Sequence, residues 1–91
     1  MTGGWTAERS IRRNPSVVWR AFEAELALLD PAVGRLSTLN DVAARCWQLA
    51  DGRTFAELID ALLNEYAVDR TQLEADVSGF LDQLADRGLL A

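Results

Sequence analysis

A segment of alternating residues passes into a helical segment at Leu39-Asn40, with almost no loop between the two. The residues from Arg35 to Thr38 have the pattern of a short strand. From Val42 onwards, apolar residues recur at the spacing of an amphipathic helix. Asn40 can cap that helix, because an Asn side chain accepts a hydrogen bond from a backbone N–H of the first turn. This join keeps the strand short and holds it against the helical part of the fold.

Two further strands are predicted before this junction. Residues 17–22 read VVWRAF, which is rich in the β-branched and aromatic residues that strands favour. Residues 24–30 read AELALLD, in which Leu26 and Leu28 share one face. The turn DPAVG, residues 30–34, follows, because Pro presets φ and Gly accepts a positive φ. We therefore expect a three-stranded meander.

Three amphipathic helices are predicted after the strands. The first ends at Asp51-Gly52, and the second begins at Thr54, where Thr54 and Glu57 can form a capping box. The third begins at Asp69 or Thr71, both of which can cap it, and it ends at Gly88. This order predicts an α+β, winged-helix-like domain, with a three-stranded antiparallel β-sheet followed by a three-helix bundle.

The N-terminal residues follow no regular pattern. Residues 1–14 contain two glycines and several arginines without an apolar period, so we expect a flexible arm there and a single domain over residues 15–91. They also lack the apolar segment of a signal peptide. No stretch of the chain approaches the roughly 20 apolar residues that a membrane span needs. We therefore expect a soluble, cytoplasmic protein without membrane contact.

The groups that carry catalysis are sparse in this chain. The sequence has no histidine or lysine, and its one cysteine, Cys46, has neither a base to activate it nor a second thiol to pair with. Cys46 falls on the inward side of the first helix, and we interpret it as a core residue. We predict that the protein is not an enzyme and that it uses no metal and no cofactor.

The charge is unevenly distributed along the chain. The net charge is −5, with seven Arg against six acidic residues up to position 53 and two Arg against eight acidic residues after it. Duplex binding depends on neutralising phosphates with Lys and Arg. We therefore predict no nucleic-acid partner.

The third predicted strand lies at an edge of the meander. Its free N–H and C=O groups can pair with an extended peptide, and neighbouring side chains can then select the residues of that peptide. The residues RLST carry one Arg and no Pro, so few features protect this edge. The alternative is a short edge strand to which nothing binds.

Several spaced residues resemble those of the PqqD family, the pyrroloquinoline quinone biosynthesis protein D group. They are LN at 39–40, Trp47, DG at 51–52, and the pattern V..FL..L..RGLL over 77–90. The similarity extends from about Pro15 to Leu90. Each motif is weak alone, but their order and spacing together make the resemblance specific.

The resemblance implies a recognition element for ribosomally synthesised and post-translationally modified peptides. Such a domain binds the leader segment of a precursor peptide as an added strand, between the third strand and the third helix. It then presents the leader to a modifying enzyme, often a radical S-adenosylmethionine protein, or to a leader peptidase. The peptide-binding residues that the resemblance implies are Gly34, Arg35, Leu36, Ser37 and Thr38 on the strand side, and Asp76, Phe80 and Gln83 on the helix.

Other interpretations remain open from the sequence. Phe80 fits the core stripe of the third helix as well as a groove, and Gly79 fits either a close peptide approach or a tight helix crossing. A winged-helix DNA-binding regulator would need a basic recognition helix, whereas the third predicted helix is acidic. A docking subunit that binds no peptide is a further alternative. Because a bare strand edge can pair with its own copy, the protein can be a monomer or a homodimer.

Overall fold

The computed structural model of the protein describes residues 5–23, 25–30 and 34–91, and the side chain of Asn40 lies outside that description. Three strands precede three helices, which confirms the predicted α+β order. The elements are β1 (Val18–Ala21), β2 (Glu25–Asp30), β3 (Arg35–Asn40), α1 (Asp41–Ala50), α2 (Phe55–Glu65) and α3 (Arg70–Asp86).

The strands form one antiparallel sheet in the order β1-β2-β3. Leu26 and Leu28 of β2 are buried, which confirms that they share the inner face, against the helices. Gly34 has a φ of 65° and donates its N–H to the Asp30 carbonyl at 2.8 Å. The rest of the predicted turn, residues 31–33, lies outside the described residues.

The junction between β3 and α1 is tighter than the sequence indicates. The strand continues two residues beyond Thr38, because Leu39 pairs with Leu26 and Asn40 pairs with Glu25. Helix α1 then begins directly at Asp41, which has a positive φ of 50°. The predicted cap at Asn40 depends on a side chain outside the described residues.

The caps of the other two helices are well defined. Thr54 and Glu57 form the predicted capping box, with each side chain accepting from the other residue's backbone N–H. Asp69 accepts from the Gln72 N–H at 2.9 Å, so Asp69 and not Thr71 caps α3. After α3 the chain turns at Gly88, whose φ is 73°.

The core lies between the sheet and the helices, and all three helices contribute to it. Cys46 and Trp47 are buried on α1, which confirms the interpretation of Cys46 as a core residue. The largest completely buried side chains beyond Trp47 are apolar: Ile11, Leu26, Leu28, Leu58, Ile59, Leu62, Leu81, Leu84 and Leu89. Among the described residues, no helix has the length and hydrophobicity that a membrane span requires.

Residues 5–14 pack against the domain, and we call them the N-terminal strap. Ile11 is fully buried, and its backbone bonds with both Gly52 and Arg53 in the loop between α1 and α2. Trp5 stacks on Phe55 with a ring-centroid distance of 6.4 Å. The prediction of a loose arm therefore does not fit these residues, because the backbone pairing and the burial of Ile11 hold them in place.

Candidate functional site

Strand β3 is an edge strand that pairs with β2 alone within the described sheet. Its register with β2 runs from Asp30 opposite Arg35 to Glu25 opposite Asn40. An edge of this kind presents backbone N–H and C=O groups that a further strand can use. The geometry therefore makes β3 a possible acceptor for an extended segment.

The side chains of β3 divide between the two faces of the sheet. Ser37 lies opposite the buried Leu28 and so faces the helices, whereas Leu36 lies opposite Leu29 and is 68% exposed. Leu36 forms an apolar row with Leu29 and Val18 on the outer face. Thr38 also lies on the outer face, because successive residues of a strand point to opposite faces and Thr38 follows the inward-facing Ser37.

Helix α3 presents a stripe of side chains to the space beside β3. Asp76, Phe80 and Gln83 follow at four- and three-residue spacing, which places them on one side of the helix. Arg87 continues the same stripe one turn later. Its guanidinium donates a hydrogen bond to the Ser37 hydroxyl and so joins the end of α3 to β3.

A mostly apolar pocket of about 250 Å³ lies at the other end of this stripe, between α1 and α3. Its α1 side includes Val42, which follows β3 by only two residues. α3 therefore extends along β3, from the pocket near Asn40 to the Arg87 contact at Ser37. The pocket is lined by Val42, Ala43, Cys46, Val68, Gln72, Leu73, Asp76, Val77 and Phe80.

The electrostatics of this pocket are simple. Burial raises the pKa of the Cys46 thiol to about 12, because the apolar surroundings disfavour the thiolate. Asp76 lies at the surface and accepts a hydrogen bond from Gln72 Nε2 at 2.9 Å. The pocket therefore offers an uncharged floor and a polar margin, which suits an apolar side chain that enters from a solvated segment.

A second, more polar cavity of about 240 Å³ lies near the start of α1. The Arg45 guanidinium is already paired there, since it donates hydrogen bonds to both carboxylate oxygens of Glu65, at 2.7 and 2.8 Å. That hydrogen bonding raises the pKa of Arg45 and lowers the pKa of Glu65. In the described part of the chain, no group of three or more Cys, Asp or Glu residues could hold a metal ion.

The structure brings the eight predicted site residues to two neighbouring elements. Five lie on β3 or its preceding turn, and three lie on the facing stripe of α3. Phe80 is half-buried, packs against the core and also lines the pocket, so its two predicted roles are compatible. The contact of these residues with a peptide stays a prediction.

Sequence reasoning missed two parts of this site. Arg87 lies one turn beyond Gln83 on the same stripe, and helical periodicity alone could have included it. Val68 is 46% exposed in the loop before α3 yet lines the pocket. A lone apolar residue in a loop carries little signal in a sequence, because only the fold places it beside α1.

The described residues define a small class of domain, in which an open edge strand lies beside the last helix of a three-helix bundle. A family model described as coenzyme PQQ synthesis protein D, PqqD, matches residues 25–90. That match includes all three helices and the second and third strands. The chain belongs to the PqqD family.

Curated relatives of the chain carry the name PqqA binding protein. The protein from Rhodopseudomonas palustris strain HaA2 is 42% identical over 57 residues, which are 62% of this chain and 56% of that relative. The protein from strain BisB5 is 39% identical over a stretch of the same length. The matched region thus spans little more than half the length of these relatives.

Two solved structures are similar in fold over most of the chain. One is TbiB1 in complex with the TbiA(beta) leader peptide, which has a TM-score of 0.81 and 35% identity, covering 87% of this chain and 93% of TbiB1. The other is the PqqD truncation of Methylobacterium extorquens PqqCD, described as a functional, stand-alone recognition element for ribosomally synthesised, modified peptides. Its TM-score is 0.78 with 28% identity, covering 98% of this chain and 96% of that one.

Proposed function

We propose that this domain binds the leader segment of a ribosomally synthesised precursor peptide as an added strand on β3. The observation that carries the proposal is the open edge of β3 beside the α3 stripe and its apolar pocket. Membership of the PqqD family supports it. The similar TbiB1 structure, which contains a leader peptide, supports it further.

Backbone pairing alone cannot hold such a peptide. Ordering an extended segment costs about 1–2 kcal/mol per residue, whereas each edge hydrogen bond contributes about 1 kcal/mol net. Burial of a Leu- or Phe-sized side chain contributes about 1.5–3 kcal/mol. We therefore expect the leader to carry two or three apolar residues at alternate positions, one of which enters the pocket between α1 and α3.

The role proposed for the domain is non-catalytic. It binds the leader and presents it to a modifying enzyme, such as a radical S-adenosylmethionine protein, or to a leader peptidase. The only thiol, that of Cys46, is buried and has a raised pKa, which supports a structural role for it. The class of the partner enzyme and a cytoplasmic location stay predictions.

The binding experiment uses isotope-labelled protein and synthetic leader segments from short open reading frames beside its gene. The expected result is a saturable shift of the backbone amides from Gly34 to Thr38, together with those around Phe80. A scrambled peptide of the same composition serves as the control. If no neighbouring peptide moves these amides, while a DNA duplex or a partner enzyme alone does, the proposal fails.

A pocket-filling variant tests where the apolar residue binds. Ala43→Phe places a large side chain in the pocket and should weaken leader binding by about tenfold or more, because one buried contact is lost. Ala85→Phe adds the same bulk at an exposed position of α3 and should leave the affinity unchanged. Thermal melting of both variants checks the fold. Equal affinities in the two variants would exclude the pocket from the binding site.

A further inference from the structure

The space beside β3 is crossed by one side chain from the end of α3. Arg87 follows the last residue of α3, and its guanidinium donates a hydrogen bond to Ser37 on the inner face of β3. The two residues are 50 positions apart in the chain. We propose that Arg87 selects an acidic residue in the bound peptide, exchanging the Ser37 hydroxyl for a carboxylate. This inference rests on the proposed function.

An added strand places a peptide side chain within reach of Arg87. Side chains directly opposite each other on neighbouring strands have Cβ atoms about 4.5–5.5 Å apart and point to the same face. The peptide residue opposite Ser37 therefore points towards the helices, as Ser37 does. It enters the space that the Arg87 side chain now spans, so the contact between Arg87 and Ser37 must rearrange.

The chemistry of Arg87 favours a carboxylate over the hydroxyl. A guanidinium has five N–H donors in a planar fork, and a carboxylate can accept two of them at once. Hydrogen bonds between charged partners are roughly twice as strong as those between neutral groups. Arg87 is exposed, so solvent screens part of this gain. An acidic peptide residue should therefore improve the affinity by about 2- to 5-fold over its amide.

The charges around the groove agree with this assignment. The Asp82 carboxylate already accepts a hydrogen bond from Trp5 Nε1–H, at 2.9 Å. Asp86 precedes Arg87 in the chain, and Arg35 lies two residues before Ser37, opposite Asp30. The other end of the stripe is acidic because of Asp76. Guanidinium groups of Arg87 and Arg35 therefore lie near Ser37 and the Asp76 carboxylate lies near the pocket, so the two ends of the stripe offer a peptide groups of opposite charge.

This polarity also sets a register for the peptide. Asp76 and Arg87 are 11 residues apart on one helical stripe, a distance of about 16 Å. A strand covers that distance in about five residues. Residues on the same face of a strand are separated by even numbers, so an acidic residue near Arg87 should precede or follow a basic or amide residue by four or six positions.

The test uses a display library of random 12-residue peptides, selected against four proteins. They are the wild type, Arg87→Glu, Arg87→Gln and the control Arg20→Glu, which makes the same charge change on the outer face of β1. The affinity of each enriched peptide is then measured beside that of its Asp→Asn or Glu→Gln form. Amide shifts of β3 locate the bound peptide, and thermal melting checks that each variant folds.

The expected result is an acidic preference at one peptide position for the wild type and for Arg20→Glu. Arg87→Gln should lose that preference, and Arg87→Glu should replace it with Lys or Arg at the same position. An unchanged preference in both Arg87 variants, or no charge preference in the wild type, would overturn the role of Arg87 alone. If no selected peptide shifts the β3 amides, the proposed function fails and this inference fails with it.

Discussion

Cys46 shows what burial does to a single ionisable residue. Its thiol lies in the core beside the pocket, and burial raises its pKa to about 12. The unfolded chain exposes the same thiol to water, where its pKa returns to an ordinary value near 9. Between these two values the folded protein binds one proton more than the unfolded chain, so stability must depend on pH there.

We predict that the free energy of unfolding falls as the pH rises from about 9 to 12. The slope that Cys46 contributes approaches 1.4 kcal/mol per pH unit, because one proton is released on unfolding. Below pH 9 the thiol is protonated in both states and contributes no slope. Denaturant unfolding of wild type and Cys46→Ala at each pH measures the difference. Equal slopes in the two proteins would show that Cys46 is not held protonated by the fold.

At the scale of the element, the start of α3 tests the capping assignment. Asp69→Ala should lower the free energy of unfolding by about 1 kcal/mol, because the Gln72 N–H loses its acceptor. Thr71→Ala is the matched control, since Thr71 is exposed inside the first turn and should cost less than about 0.5 kcal/mol. Chemical denaturation of both variants gives the comparison. A larger loss for Thr71→Ala would contradict the cap seen here.

Gly79 provides a second test at this scale, because it lies inside α3, where glycine is unfavourable. A Cβ built on Gly79 meets no described atom within 4 Å, which does not support a tight helix crossing. We expect Gly79→Ala to raise the free energy of unfolding by about 0.5–1 kcal/mol, since Gly loses more backbone freedom on folding than Ala.

The control for Gly79 is the same substitution at Gly88. Gly88 has a φ of 73°, so Gly88→Ala should destabilise the protein by about 1–2 kcal/mol. The midpoint of thermal unfolding should thus rise for Gly79→Ala and fall for Gly88→Ala. If Gly79→Ala stabilises the fold but weakens leader binding, the peptide approaches the α3 backbone there. If Gly79→Ala destabilises the fold, the substitution meets a neighbouring group and the space beside Gly79 is not open.

At the scale of the whole molecule, the N-terminal strap connects parts that are distant in sequence. Its backbone forms hydrogen bonds with the loop between α1 and α2, and Asn14 donates its N–H to the Leu89 carbonyl at 2.9 Å. The Trp5 indole reaches α3 through Asp82. The strap therefore connects the loop between α1 and α2 with the last turns of α3 and the C-terminal residues.

We predict that Ile11→Ala lowers the free energy of unfolding by about 2–5 kcal/mol, because it removes a fully buried side chain and leaves a cavity. Arg12→Ala, at the next and exposed position, should change it by less than about 0.5 kcal/mol. Denaturant unfolding of both variants measures the effect. Similar small losses would mean that residues 5–14 form the loose arm that the sequence suggested.

Local chemistry in the sequence determined the elements of this protein. These elements depend on residues that are close in the chain, so the sequence alone indicates them. Examples are the capping box at Thr54, the glycine after α3 and the apolar periodicity of the helices. The free edge of β3 followed from strand order. The eight site residues came from the resemblance to the PqqD family, and the structure places them on facing elements.

Only the tertiary structure decided which distant residues meet. The burial of Ile11 depends on a loop some 40 positions away, and the contact of Arg87 with Ser37 depends on where the end of α3 lies relative to β3. The pocket combines α1, α3 and the loop at Val68 in the same way. Such contacts leave no periodic pattern in the sequence, because each depends on the position of whole elements and not on the residues near it in the chain.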